Sequence, residues 1–180
     1  MFRVVLSMLV LGLASFATGA DDKPVVVKLD KLKASAPAEW TPEKTANRLR
    51  SFQFKLKGTD GHDGELIVMP ESNPEPSKVF PRWKASFIVP EGKTAEDISK
   101  ESKFTIPGAT VHVLDASGTW RFKERPFDPK SKEEQRENYR VVWIIVVEED
   151  GATLLRVSGP QETMAKYMPG VEAWLKTLKK

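Results

Sequence analysis

The 180-residue chain contains no cysteine. That excludes disulfide bonds, a thiol nucleophile and any thiolate metal site. Histidine occurs twice, at His62 and His112, so imidazole chemistry is confined to two positions. Neither sign of charge dominates, with 28 Lys and Arg against 25 Asp and Glu, a net charge of +3. Such a dense mixture does not point to nucleic acid as a partner. After residue 20 no apolar run approaches the about 20 residues a membrane-spanning helix needs. A phosphate-binding loop, a dinucleotide fingerprint, an EF-hand loop and a Gly-x-Ser-x-Gly elbow are all missing.

The N-terminus supplies the first positive signal. Arg3 precedes the apolar run Val4–Leu13, and small residues lead to Thr18-Gly19-Ala20. This is the pattern of a signal peptide over residues 1–20, with the mature chain starting at Asp21. Its removal takes one arginine and no acid, so the basic count falls from 28 to 27 against 25 acids, a net +2. The expected product is exported, periplasmic or extracellular, without a transmembrane segment. The remaining chain suits one domain large enough to bury a core without covalent staples. Residues 21–39 read as a tail and linker, within which Val25-Val26-Val27 is a candidate short strand, and residues 40–180 as the domain.

Along that domain the periodicity is mainly that of strands. Phe52, Phe54 and Leu56 alternate with Gln53, Lys55 and Lys57, and Leu66–Met69 is the partner strand across the turn cluster Gly58–Gly64. Thr41-Pro42-Glu43 is turn-like. A helix with Val79, Phe80, Trp83 and Phe87 on one face is predicted after Ser77, with Pro81 near its start. Thr94-Ala95-Glu96-Asp97 is a short capping box. Phe104 and Ile106 mark a short strand, and Val111–Val113 and Trp120–Phe122 two more around the turn residues Asp115–Gly118. Residues 126–137, polar and charged, read as a mobile loop.

Tyr139–Val147 is apolar at both odd and even positions, which marks a central strand covered on both faces. Glu148–Gly151 is the turn into Leu154–Val157. A terminal helix follows Pro160, with Met164, Met168, Val171, Leu175 and Leu178 on one stripe and Pro169 expected to kink or split it. A mostly antiparallel sheet with helices on both faces results, an α+β fold of the α/β/α sandwich type. The five Trp residues read as core anchors.

Several segments together resemble the PsbP-like proteins and a group of exported bacterial proteins of unknown function. They are Trp40, Arg50–Phe54, Gly64–Val68, Arg82–Phe87, Val111–Trp120 and Leu154–Pro160. The stretch before Arg82-Trp83, here Glu71–Pro76, departs from that group's glycine-rich pattern. The resemblance implies a binding or assembly module and supplies no catalytic residue.

Three readings of function follow. The leading one is an exported, non-catalytic accessory module that binds a protein or cell-envelope component. The second takes the loop residues Asp60, His62, Asp63 and Glu65 as ligands of a divalent cation, in a metal-binding protein or metal-dependent hydrolase. Calcium or manganese suits an oxygen-rich set, although Gly, Asp and His are also ordinary turn residues. The third takes Lys55 and Lys57, which share a face that Arg50 does not, as a polyanion-binding surface with Lys28, Lys31 and Lys33. Edge-strand lysines that discourage pairing explain the same pattern. His112 faces away from Val111 and Asp115 and reads as an ordinary strand histidine.

Overall fold

The computed structural model describes residues 24–70, 74–124 and 128–180. The expected signal peptide lies outside them, as do residues 71–73 of the Pro-rich connection, residues 125–127 and the side chain of Asp60.

The chain opens with a small hairpin of β1 (Val26–Lys28) and β2 (Lys33–Ser35). Within the expected tail and linker, β1 thus falls on the candidate strand Val25-Val26-Val27, and β2 follows it. Val27, Leu29 and Leu32 are buried, and the Lys33 backbone exchanges hydrogen bonds with Lys179 at 2.8 and 3.1 Å. The few apolar residues stand among lysines, which hides the strand period. The hairpin is held by what it packs on, the C-terminal end of the chain.

The main sheet comprises β3 (Trp40–Pro42), β4 (Phe52–Leu56), β5 (Gly64–Met69), β6 (Phe87–Ile88), β7 (Ser99–Ile106), β8 (Ala109–Lys123), β9 (Glu133–Val147) and β10 (Ala152–Pro160). All neighbours are antiparallel in the order β3-β4-β5-β10-β9-β8-β6, and β7 pairs with β8 beside β6. Helix α1 (Pro76–Lys84) lies on one face and α2 (Gln161–Leu175) on the other.

Several elements differ from the sequence expectation. Thr41 and Pro42 lie in an edge strand, not a turn, because Trp40 is buried between Phe54 and Trp174. α1 stops at Lys84, and Phe87 pairs with Trp120 in the sheet. β7 is eight residues long, although most of its side chains are exposed.

Asp115–Gly118, turn residues by type, sit inside the single strand β8. Each pairs with β9, and Arg140 holds the Asp115 carboxylate at 2.6 and 2.9 Å. The expected loop over residues 126–137 is partly strand, since β9 starts at Glu133 and pairs there with Lys123. α2 runs unbroken through Pro169, because its apolar stripe is clamped on the sheet.

The central strand is as expected. Val141 to Val146 are all buried, even positions against α2 and odd positions toward α1. On the α2 face Val142, Ile144, Leu155 and Val157 meet Met164, Met168, Val171 and Leu175. On the α1 face Trp83 stacks on Trp143 at 5.4 Å. Lys84 at the helix end reaches Glu101 of β7 at 2.7 Å.

One irregularity governs the site. The β8–β9 register passes from Gly118↔Tyr139 to Trp120↔Arg136, so Glu137 and Asn138 together face Thr119. This is a β-bulge, and Asn138 takes φ +51°, a left-handed conformation in which Asn is tolerated better than most residues.

Candidate functional site

The α1 face of the sheet is apolar under the helix. Toward β4 it becomes polar, carrying Gln53, Lys55, Glu65, Arg156 and Ser158. A groove of about 890 Å³ lies there, walled by Arg50 and Gln53 on one side and Phe122, Glu134, Arg136 and Tyr139 on the other. Its far wall is the projecting β8–β9 hairpin.

The floor is a network of charge. Glu65, at the start of β5, accepts from Arg50 Nη1 at 2.8 Å and from Arg156 Nη2 at 2.7 Å. Burial disfavours the Glu65 carboxylate, yet the charges and hydrogen bonds of Arg156 and Arg50 outweigh it and hold its pKa below the usual range. Arg156 lies mid-strand in β10, and its side chain is only 16% exposed. Its Nε is buried with no hydrogen-bond partner among the described residues. Burial pushes this guanidinium's pKa down, Arg50 and Arg136 push the same way, and Glu65 opposes them.

Above the floor stands an aromatic wall. Trp120 and Tyr139 stack at 5.7 Å, and Trp120 and Phe122 are 5.0 Å apart. Arg136 lies over Phe122 with its guanidinium carbon 3.6 Å from the ring centroid, and Arg156 approaches Trp120 at 5.4 Å. These are cation–π contacts, strongest where water is displaced. Arg136 donates Nε and Nη2 to Glu134 at 3.2 and 3.0 Å.

The bulge makes this wall. Arg136 and Tyr139 are three residues apart and would point to opposite faces of a regular strand. The extra residue puts both on the groove side.

The residues singled out in the sequence are only partly gathered here. Glu65 and Asp63 line the groove, but Glu65 is taken by two guanidiniums. Asp63 Oδ1 accepts the Gly58 N–H at 3.0 Å, and its Oδ2 lies 3.8 Å from Lys55. His62 follows the helical turn Thr59–Gly61 that contains Asp60, and its carbonyl accepts from Thr163 at 2.7 Å. Among the described residues, no three His, Asp or Glu side chains are placed to hold a metal ion. A cation using Glu65 would have to draw it from Arg50 and Arg156.

Lys55 lies 3.3 Å from Glu43, so its charge is largely answered. Lys57 is exposed beyond β4, while its carbonyl accepts from Tyr167 at 3.1 Å. β4 lies between β3 and β5, so these are not edge lysines. Arg50 reaches the Lys55 face after all, bonding Gln53 at 2.9 Å and Glu65. It precedes the first strand residue, so the strand alternation does not govern it. Lys31 of the supposed lysine patch pairs with Asp150. His112 sits opposite Lys103 on β8, and burial, with Lys103 adding to it, lowers its pKa.

Arg136, Arg156, Trp120, Phe122 and Tyr139 were not legible as a site in the sequence. One signal pointed there: Arg156 lies in the apolar run Leu154-Leu155-Arg156-Val157, and a cation in a buried strand requires a partner.

No protein-family model and no curated protein matches the chain. Among solved structures, it is similar to the protein of unknown function PA94 from Pseudomonas aeruginosa. The TM-score is 0.45 and the identity 11%, over 87% of this chain and 96% of that one. A likeness at this level does not bear on function.

Proposed function

We propose that the chain is an exported, non-catalytic binding module that seats a protein or cell-envelope component in the groove beneath the β8–β9 hairpin. The observation that carries this reading is the groove floor, where Glu65 is locked between Arg50 and Arg156. A general acid or base works best with a pKa near the operating pH, and Glu65 is driven the other way. The floor is therefore a rigid, preorganised recognition surface, which lowers the ordering cost of binding. The PsbP-like resemblance and the signal-peptide pattern support the same reading.

The test has two arms. A photoreactive residue is placed at Gln53 or Lys132, beside the groove, or at Lys176, just past the end of α2, and the protein is irradiated in its native envelope. Crosslinks concentrated at the groove positions support the module. Equal crosslinking from Lys176, or turnover of ester, phosphate or glycoside substrates that a single groove substitution abolishes, would overturn it.

A further inference from the structure

The geometry points to an oxyanion seat centred on Arg136, in which Glu134 is a built-in occupant that an incoming carboxylate or phosphate displaces. The inference rests on the binding-module reading and specifies the ligand chemistry.

Charge distribution is the first argument. The three guanidiniums of Arg50, Arg136 and Arg156 are 14, 28 and 16% exposed at the side chain. Glu65, hydrogen-bonded to Arg50 and Arg156, is 30% exposed. Glu134, which answers Arg136, is 62% exposed. The cations are thus sunk in the wall and floor, while Glu134, the partner of Arg136, stands largely in solvent. Asp63 and Glu124 also line the groove, as do Lys130 and Lys132, so the positive character is local to the place where Arg50, Arg136 and Arg156 stand close together.

The second argument is the fork. Arg136 presents Nε and Nη2 together, the pairing that binds a planar oxyanion in two parallel hydrogen bonds. Phe122 backs the guanidinium carbon at 3.6 Å, and Trp120 and Tyr139 close its flanks at 5.9 and 5.5 Å. Glu134 occupies the fork from two residues away on the same strand. An exposed pair of this kind is weak and costs little to open. A ligand oxyanion makes the same two bonds and adds attraction from Arg156 and Arg50 behind.

The third argument is conformational. Arg136 faces the groove only because of the bulge at Glu137-Asn138, held at a left-handed Asn138. Bulges recur where a side chain must be re-aimed. The volume exceeds what a small anion fills, so the oxyanion is the head of a larger ligand.

The experiment is an NMR titration of the full mature chain with inorganic phosphate and with succinate. It observes the Arg136 Nε–H and Trp120 indole N–H signals. A saturable shift at both, with millimolar or tighter affinity, is the expected result. Phosphate and succinate separate the two oxyanion sources by which binds more tightly. Glu134→Gln removes the occupant and should tighten binding about two- to five-fold, the reverse of what loss of a plain structural contact does. Arg136→Gln should weaken it at least about tenfold. Arg140→Gln, on the opposite face, should change nothing.

No saturable shift with either anion overturns the seat, as does equal weakening by Arg136→Gln and Arg140→Gln. So does weaker binding in Glu134→Gln. Groove crosslinking without anion binding would sink the seat and leave the module standing. Anion binding without groove crosslinking would do the reverse.

Discussion

Glu65 shows how one side chain ties stability to pH. Its folded pKa lies below its unfolded value, so its contribution is present above about 4.5 and is lost as pH falls through the lowered folded value. Glu65→Gln leaves two guanidiniums facing each other without a counter-charge. The expected cost is about 2 kcal/mol at pH 7, reduced from the fully buried case because Glu65 is partly exposed. Urea unfolding of both proteins at pH 7 and near pH 3 checks this. The difference between them should shrink at the lower pH.

Glu148 makes a similar point outside the site. It is buried at the β9–β10 turn, where its carboxylate accepts the backbone N–H groups of Asp30 and Lys31 at 3.2 and 2.9 Å. Glu148→Ala leaves two donors unpaired and should cost about 1–3 kcal/mol by chemical denaturation. The sequence places this residue only in the turn Glu148–Gly151. Only contact with the N-terminal hairpin singles it out.

At the scale of elements, the β8–β9 hairpin decides most of what the groove is. Asn138→Gly should keep the bulge and the fold, since glycine takes positive φ freely. Asn138→Val should cost about 1–3 kcal/mol, because a β-branched residue is strained there. Deleting Asn138 removes the bulge but leaves Arg136 two residues from Tyr139 and still opposite Trp120, so regular alternation keeps it on the groove face, and oxyanion binding should survive while the core strands stay protected in hydrogen exchange. Protection lost throughout β9 and β10 would show instead that the bulge is needed for the fold. None of this was readable from residues 126–137, where charged side chains concealed the strand. Pairing with β8 holds β9 extended where its own composition does not ask for it.

For the whole molecule, two cores on opposite faces of one sheet make the fold. The α2 core is closed at its end by the N-terminal hairpin, where the Trp174 indole donates to the Ser35 carbonyl at 3.0 Å. Removing residues 24–36 should therefore lower Tm by roughly 10–20 °C, from the lost burial of Val27, Leu29 and Leu32. An unchanged Tm would show that the hairpin is dispensable.

The sequence alone determined the elements whose residues repeat a strong pattern. The doubly apolar run Tyr139–Val147 specified a central, twice-covered strand. The Met164–Leu175 stripe specified the terminal helix, and together they specified an antiparallel sheet between helices. Those signals are local, since burial of a face requires apolar residues at the period of the element. The groove is decided by tertiary structure. Arg50, Glu65, Arg136 and Arg156 come from four separate segments, and the bulge that brings Arg136 to the others is a mismatch between two strands. A mismatch exists only once the strands are paired, because no single segment carries the register.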